Sequence, residues 1–193
     1  MKPLLIILSV FLLSFETDHS TDRLGVKGPL VFNNTSFALS WTDKPNEHYY
    51  IQEYLPAGEK TATYHQMMTI HLFDMDITAE EAVAQKVKEL NERKKSDAVC
   101  QYAAIKGPDG KEYIVDFLLS ESRDGNMSIV EFNIYRYLIV NTGKGKALLV
   151  YAYTKRSYGN KIDAFLKALA GNRKEDINQM AKAKIPAINL KGK

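Results

Sequence analysis

Apolar and polar positions alternate most regularly between Tyr102 and Lys155, where four runs rich in β-branched and aromatic residues are separated by three glycine-bearing turns. A period of two sends successive side chains to opposite sides of a strand, so this stretch predicts a four-strand antiparallel meander. Asp124-Gly125 suits a two-residue type I′ turn, whose central residues both take positive φ. Such a turn pairs Leu119 with Val130, Phe117 with Phe132 and Val115 with Ile134. Gly107-Pro108-Asp109-Gly110 offers proline for the first corner of a type I turn, and it adds Val99, Gln101, Ala103 and Ile105 to the same side. Beyond the looser loop at 141–146, Leu148, Val150 and Ala152 continue that side, which is therefore expected to be a core face. Arg136 falls on it and needs a carboxylate, for which Glu53 is the candidate, or serves as a ligand clamp.

The opposite side is mixed. Tyr102, Asp116, Glu131, Asn133, Tyr135, Tyr137, Tyr151, Tyr153 and Lys155 fall there, interrupted by Ile114, Leu118 and Leu149. Such a face is either a half-solvated outer surface or a band that binds a ligand or partner. The residues offered for binding are Tyr102, Asp116, Glu131, Asn133, Tyr135, Tyr153 and Lys155.

Before the meander, 37–41, 48–55 and 64–73 read as strands, the first two separated by a turn at 43–46. Thr78 and Glu81 form a capping box, Ile77 is placed as its staple, and Ala79, Ala82, Val83, Val87 and Leu90 make one apolar stripe. After the meander, Asn160 is the expected cap of a helix whose stripe is Ile162, Phe165, Leu166 and Leu169, with Gly171 ending it. A weaker helical pattern occupies 173–184. The order β-β-β-α-β-β-β-β-α-(α) predicts a single α+β domain: a central antiparallel sheet, the C-terminal meander plus two to three N-terminal strands, flanked by helices. The expected divisions are a signal segment at 1–20, a linker at 21–36, the domain at 37–171, and a C-terminal helix and tail at 172–193.

Composition changes this picture little: 193 residues, 45% hydrophobic and 25% charged, suit one globular domain with a proper core. A net charge of +3, with lysines spread along the chain, argues against nucleic-acid binding. The opening MKPLLIILSVFLLSF has the length of a signal-peptide apolar region rather than of a bilayer span. A bacterial periplasmic or secreted location is expected, with no transmembrane span once the signal is removed. Asn33-Asn34-Thr35 and Asn126-Met127-Ser128 fit the glycosylation pattern. The single cysteine, Cys100, precludes an internal disulfide and is expected as a packed side chain.

Tyr54-Leu55-Pro56-x-Gly58-Glu59, then Tyr64-His65-Gln66-Met67, and later Glu131-Phe132-Asn133-Ile134-Tyr135-Arg136-Tyr137, look like segments of small exported bacterial proteins. Over 37–170 the architecture resembles the PsbP/DcrB/Mog1-like group. That resemblance implies a non-enzymatic accessory, chaperone-like or binding role, and it brings no catalytic residues with it.

Candidate chemistry is sparse. His65 and His71 lie about 20 Å apart on an extended strand, at roughly 3.3 Å per residue, too far to share an ion with His48 or with Met67, Met68 and Met75 as soft ligands. The chain has no G-x-S-x-G elbow, and Gly143-Lys144-Gly145 lacks the rest of a phosphate loop. Asp116 and Glu131 on adjacent strands could form an acid/base pair of glycosidase type. The expectation is thus a non-catalytic exported protein, without cofactor or metal, that binds another protein or a small ligand through the mixed face. An immunity- or chaperone-type partner of an exported effector and a small hydrolase using Asp116 and Glu131 are the alternatives.

Overall fold

The computed structural model describes residues 21–26 and 28–190; the expected signal segment lies outside the described residues. Eight strands form one antiparallel sheet in the order β1-β2-β3-β4-β8-β7-β6-β5. The first meander comprises β1 (Leu30–Phe32), β2 (Thr35–Asn46), β3 (Tyr49–Pro56) and β4 (Gln66–Phe73). The second comprises β5 (Gln101–Lys106), β6 (Tyr113–Arg123), β7 (Asn126–Asn141) and β8 (Lys146–Tyr158), and β4 pairs with β8 to join the two. Helix α1 (Ala79–Arg93) carries the chain from β4 to β5 at the far edge, packing against β5, β6 and β7. Helix α2 (Ile162–Lys182) packs against β6, β7 and β8. The α+β expectation holds at the level of an antiparallel sheet with helices, but the protein is mostly sheet. Phe32 on β1 reaches Tyr153 on β8, ring centroids 4.5 Å apart, although three strands separate β1 from β8. The sheet therefore curls into a half-barrel around the α2 side.

Both faces of the sheet are core faces, which corrects the expected division into an oily and a mixed side. The Asp124-Gly125 turn forms as expected, with φ of 52° and 76°. One turn further on, however, the register shifts: Ser122 pairs with Met127 but Glu121 pairs with Ile129, leaving Ser128 as the extra residue of a bulge. From there Leu119 pairs with Glu131, Phe117 with Asn133 and Val115 with Tyr135, each one residue away from the expected partner. Cross-strand partners share a face, so Val115 and Phe117 lie on the α1 face while Phe132 and Ile134 lie on the α2 face. Leu148 and Val150 join the α1 core with Val83, Leu90 and Cys100. Tyr151 and Tyr153 join the α2 core with Phe37, Ile70, Leu169 and Met180.

Helix α1 begins where the sequence places it, with the Thr78 hydroxyl accepting from Glu81 N–H and the Glu81 carboxylate accepting from Thr78 N–H. Helix α2 does not stop at Gly171, nor is there a separate third helix. Leu169, Asp176 and Met180 stay on one buried stripe through the glycine, which is exposed and costs about 1 kcal/mol in propensity without breaking the ladder. Asn160 lies in a single 3-10 turn ahead of the helix and does not cap it. At the other end, Arg136 donates to the carbonyls of Met180 and Ala183 at 3.0 Å and to Glu112 at 2.6 and 2.8 Å. Its carboxylate partner is Glu112, not Glu53, and it closes the C-terminus of α2.

Residues 21–36 are not a linker. Leu24 and Val26 are buried in the α2 core, β1 pairs with β2, and Asn33 and Asn34 form the connecting turn with φ of 46° and 59°. The expected turn at 43–46 lies within β2 instead, where the register with β3 is irregular. Cys100 is buried, with Sγ 3.6 Å from the Leu90 carbonyl.

Candidate functional site

The residues offered for binding divide between the two faces. Asp116, Tyr153 and Lys155 point to the α2 side, where each is committed to holding the fold. Asp116 is buried and accepts from Arg173 Nε at 2.7 Å; Lys155 donates to Asp176 at 2.6 Å; Tyr153 is buried and donates to Gln66 at 2.7 Å. Tyr102, Glu131, Asn133 and Tyr135 share the α1 side. Tyr102 donates to Asn91 of α1 at 2.9 Å, which ties β5 to the helix. Asp116 and Glu131 thus lie on opposite faces, each paired with its own arginine, so the proposed acid/base pair has no common site.

What remains is a strip on the α1 face, between α1 and the segment 56–65 that runs from the last residue of β3 to β4. A cross-strand row runs Trp41, Glu53, Thr69, Ala152, Tyr135, and the next row runs Met67, Thr154, Asn133. The small side chains of Thr69, Ala152 and Thr154 lie buried along these rows. Arg156 and Glu131 close one end with an ion pair shielded from solvent. Tyr64 lies over that pair, its ring centroid 4.0 Å from the guanidinium carbon and its hydroxyl donating to Glu131 at 3.0 Å. His71, at the other end, shares a 2.8 Å hydrogen bond with the Tyr49 hydroxyl.

Electrostatics follow from burial. The Glu53 pKa is raised to about 7 by loss of solvent, against the opposing field of Arg156. Burial and, secondarily, Lys86 lower that of His71 to about 3, so its imidazole is neutral at neutral pH. Burial also pushes the phenols of Tyr64 and Tyr135 well above the usual tyrosine range, so both keep their protons. Two atoms on this strip are sealed from solvent with no hydrogen-bond partner among the described residues: Glu53 Oε2 and Asn133 Nδ2. Asn133 is 3% exposed, and its Oδ1 accepts from Thr154 at 2.8 Å, which leaves the amide nitrogen as the open donor.

Two open depressions lie elsewhere. One of about 540 Å³ is lined by Arg93, Asp97, Ser120 and Met127, and one of about 510 Å³ by Asn33, Gln66, Lys155 and Phe165. Neither is lined by a sealed polar atom that lacks a partner, and Asp97, Ser120 and Lys155 already serve structural bonds. The unpartnered atoms make the strip the stronger candidate. Among the described residues no group of three His, Cys, Asp or Glu side chains could hold a metal ion, and no helix is long and apolar enough to cross a membrane.

Sequence reasoning placed Glu131, Asn133 and Tyr135 here but missed Arg156, Tyr64 and the role of Glu53. The available signal was a charge inside each of two well-alternating strands, Glu53 in YYIQEYL and Arg156 in YAYTKRSY. A family model matches residues 24–185. The chain belongs to that family, an uncharacterised family of bacterial proteins. No curated protein and no solved structure matches it.

Proposed function

We propose that this protein is a non-catalytic binding protein of the bacterial envelope that holds another protein through the strip between α1 and the 56–65 segment. The observation that carries the reading is the pair of sealed, unpartnered atoms, Glu53 Oε2 and Asn133 Nδ2. Each costs about 1–3 kcal/mol relative to a satisfied or apolar alternative, a cost that core packing alone does not require. A partner that supplies a donor to Glu53 and an acceptor to Asn133 converts both into recognition energy. The surroundings suit a protein surface: Leu55, Tyr64 and Met67 give an apolar cluster beside the Arg156–Glu131 pair, a mixture of aromatic, methionine and arginine groups typical of interface centres. Export and the likeness to the PsbP/DcrB/Mog1-like group belong to the same proposal, and both favour an accessory role over catalysis. An immunity- or chaperone-type function is the case in which the partner is an exported effector.

The test is capture from the envelope of a bacterial host that encodes the protein, with three baits: wild type, Asn133→Leu, and Ile105→Ser on the opposite edge. A partner retained by wild type and Ile105→Ser but lost by Asn133→Leu supports the reading. Equal capture by all three, or capture by none, overturns it.

A further inference from the structure

β5 ends the sheet, and no strand lies beyond it among the described residues. Gly107 N–H donates to the Glu112 carbonyl at 2.8 Å, which fixes the phase of the β5–β6 ladder. Bonding alternates along an antiparallel pair, so Ala103 and Ile105 turn their backbone groups to β6 while Tyr102, Ala104 and Lys106 turn theirs outward. Cys100 keeps the same phase, its N–H donating to the Asp97 carbonyl at 3.0 Å. Edges of natural sheets are blunted by charges, prolines, bulges or shortness. β5 runs six residues in unbroken register with β6, contains no proline, and carries its one charge, Lys106, at its end. The opposite edge is blunted: β1 has three residues and follows Pro29, which has no N–H. We propose that β5 pairs antiparallel with β5 of a second copy of this chain, across a two-fold axis at Ala104, and joins two sheets into one.

The strand is self-complementary in this register. Residues that bond across the new pair must share a face and turn outward, a condition met by Ala104 against itself and by Tyr102 against Lys106 of the second copy. All three outward residues are then used, whereas an axis at Ala103 would pair Tyr102 with Ala104 and leave Lys106 unbonded. On the α1 face the register sets the Lys106 ammonium beside the Tyr102 ring. On the other face it sets Ile105, 45% exposed, against Ala103 of the second copy. Helix α1 supplies the reason for a second copy in place of an unrelated strand. Glu80 lies 3.9 Å from Lys106, Asn91 accepts from Tyr102, and Lys94 lies 4.6 Å from the Tyr102 ring centroid, so one side of α1 borders the edge. Glu80, Ala84, Asn91 and Lys94 are exposed on that side. The helix begins with the acidic Glu80 and Glu81 and ends at the basic Lys94 and Lys95. A two-fold axis reverses the second helix, which brings Glu80 of each copy opposite Lys94 of the other.

The strip described under Proposed function lies over β3, β4, β7 and β8, away from this edge, so the two readings fail separately. The contact is smaller than a standard interface, and a dimer that dissociates on the order of 10–100 µM is expected. The test is sedimentation of the protein from about 1 to 500 µM at low salt, with amide hydrogen exchange at both ends of that range. A dimer at high concentration that gains at least about tenfold protection at the Tyr102, Ala104 and Lys106 amides supports the proposal. Ala104→Pro removes an outward N–H and no bond to β6, so it should weaken the dimer at least about tenfold while melting stays cooperative. Glu80→Lys and Lys94→Glu should each weaken it at least about threefold, and an equimolar mixture of the two should recover the wild-type affinity. A monomer at every concentration overturns the proposal, and this needs no variant to fold. A dimer without protection at those three amides, a dimer equally tight in Ala104→Pro, or a mixture no tighter than either charge variant alone overturns it too. Protection of the same amides by another protein in place of a second copy also overturns it.

Discussion

Helix α2 is fastened to the sheet by a cation that it supplies to a buried acid, and the strength of that fastening can be worked from the structure. Asp116 is 1% exposed; Arg173 reaches it from α2 with its side chain 45% exposed. Burial raises the Asp116 pKa, Arg173 opposes the rise, and Oδ1 has no partner among the described residues, so the arginine is the main compensation for the buried charge. Removing one member of a fully buried pair costs about 3–5 kcal/mol, and the solvent around Arg173 reduces that to about 2–3 kcal/mol for Arg173→Met. For a chain of this size the loss lowers the melting temperature by about 5–10 °C. The deficit depends on the Asp116 charge. It is full well above the ordinary aspartate range and disappears once pH falls low enough to protonate Asp116 in folded and unfolded states alike. Asp116→Asn should accordingly rescue Arg173→Met, leaving the double variant within about 1 kcal/mol of wild type. Urea unfolding of the four proteins at pH 7 and pH 3.5 is the assay. A loss below about 0.5 kcal/mol at pH 7, or an undiminished loss at pH 3.5, refutes the reasoning.

Other perturbations probe the remaining joints. Arg136→Met removes the donor to two α2 carbonyls and the partner of Glu112, and should cost about 2 kcal/mol with faster amide exchange in the last turn of α2, read by urea unfolding and hydrogen exchange. Thr78→Ala breaks the capping box of α1 and should cost about 1 kcal/mol in the same unfolding assay, whereas Glu92→Gln, from an exposed pair with Lys95, should cost less than about 0.5 kcal/mol. Deleting Ser128 should be tolerated, with a melting temperature within about 5 °C of wild type, because it removes the bulge and leaves the pairing from Glu121↔Ile129 onward intact. Deleting Asn133 should abolish cooperative melting, because closing the gap turns Phe132 out of the α2 core.

The bulge also explains which parts of the fold were legible in the sequence. Features encoded by local chemistry were readable: the Asp124-Gly125 turn, the Thr78–Glu81 box, and the strands of the meander all follow from residue type and spacing. The Asn33-Asn34 turn carries the same kind of signal, since asparagine tolerates positive φ, but the triplet also fits a glycosylation pattern and sits in a stretch whose polarity suggests a linker. Ser128 gives no such cue. Nothing in Asn126-Met127-Ser128-Ile129 distinguishes a regular strand from a bulged one, yet one extra residue reverses the facing of β7 from Ile129 onward relative to β6, while Leu148 and Val150 of β8 stay on the side of Val115 and Phe117 as expected.

Binary pattern failed here for a related reason. In a sheet covered on both sides, inward positions of either parity are apolar, so alternation no longer separates core from surface. Val115 and Ile134 are both 0% exposed on opposite faces, and their hydrophobicity alone cannot say which helix each meets. The polar residues interrupting these runs carry the information instead. Asp116, Lys155 and Arg136 meet α2 because that helix brings Arg173, Asp176 and its own C-terminal carbonyls to them. Glu131 and Arg156, by contrast, pair with each other across adjacent strands and need neither helix. A charged pair that is satisfied within the sheet, next to an acid and an amide that are not, separates the strip on the α1 face from the clamps on the other side.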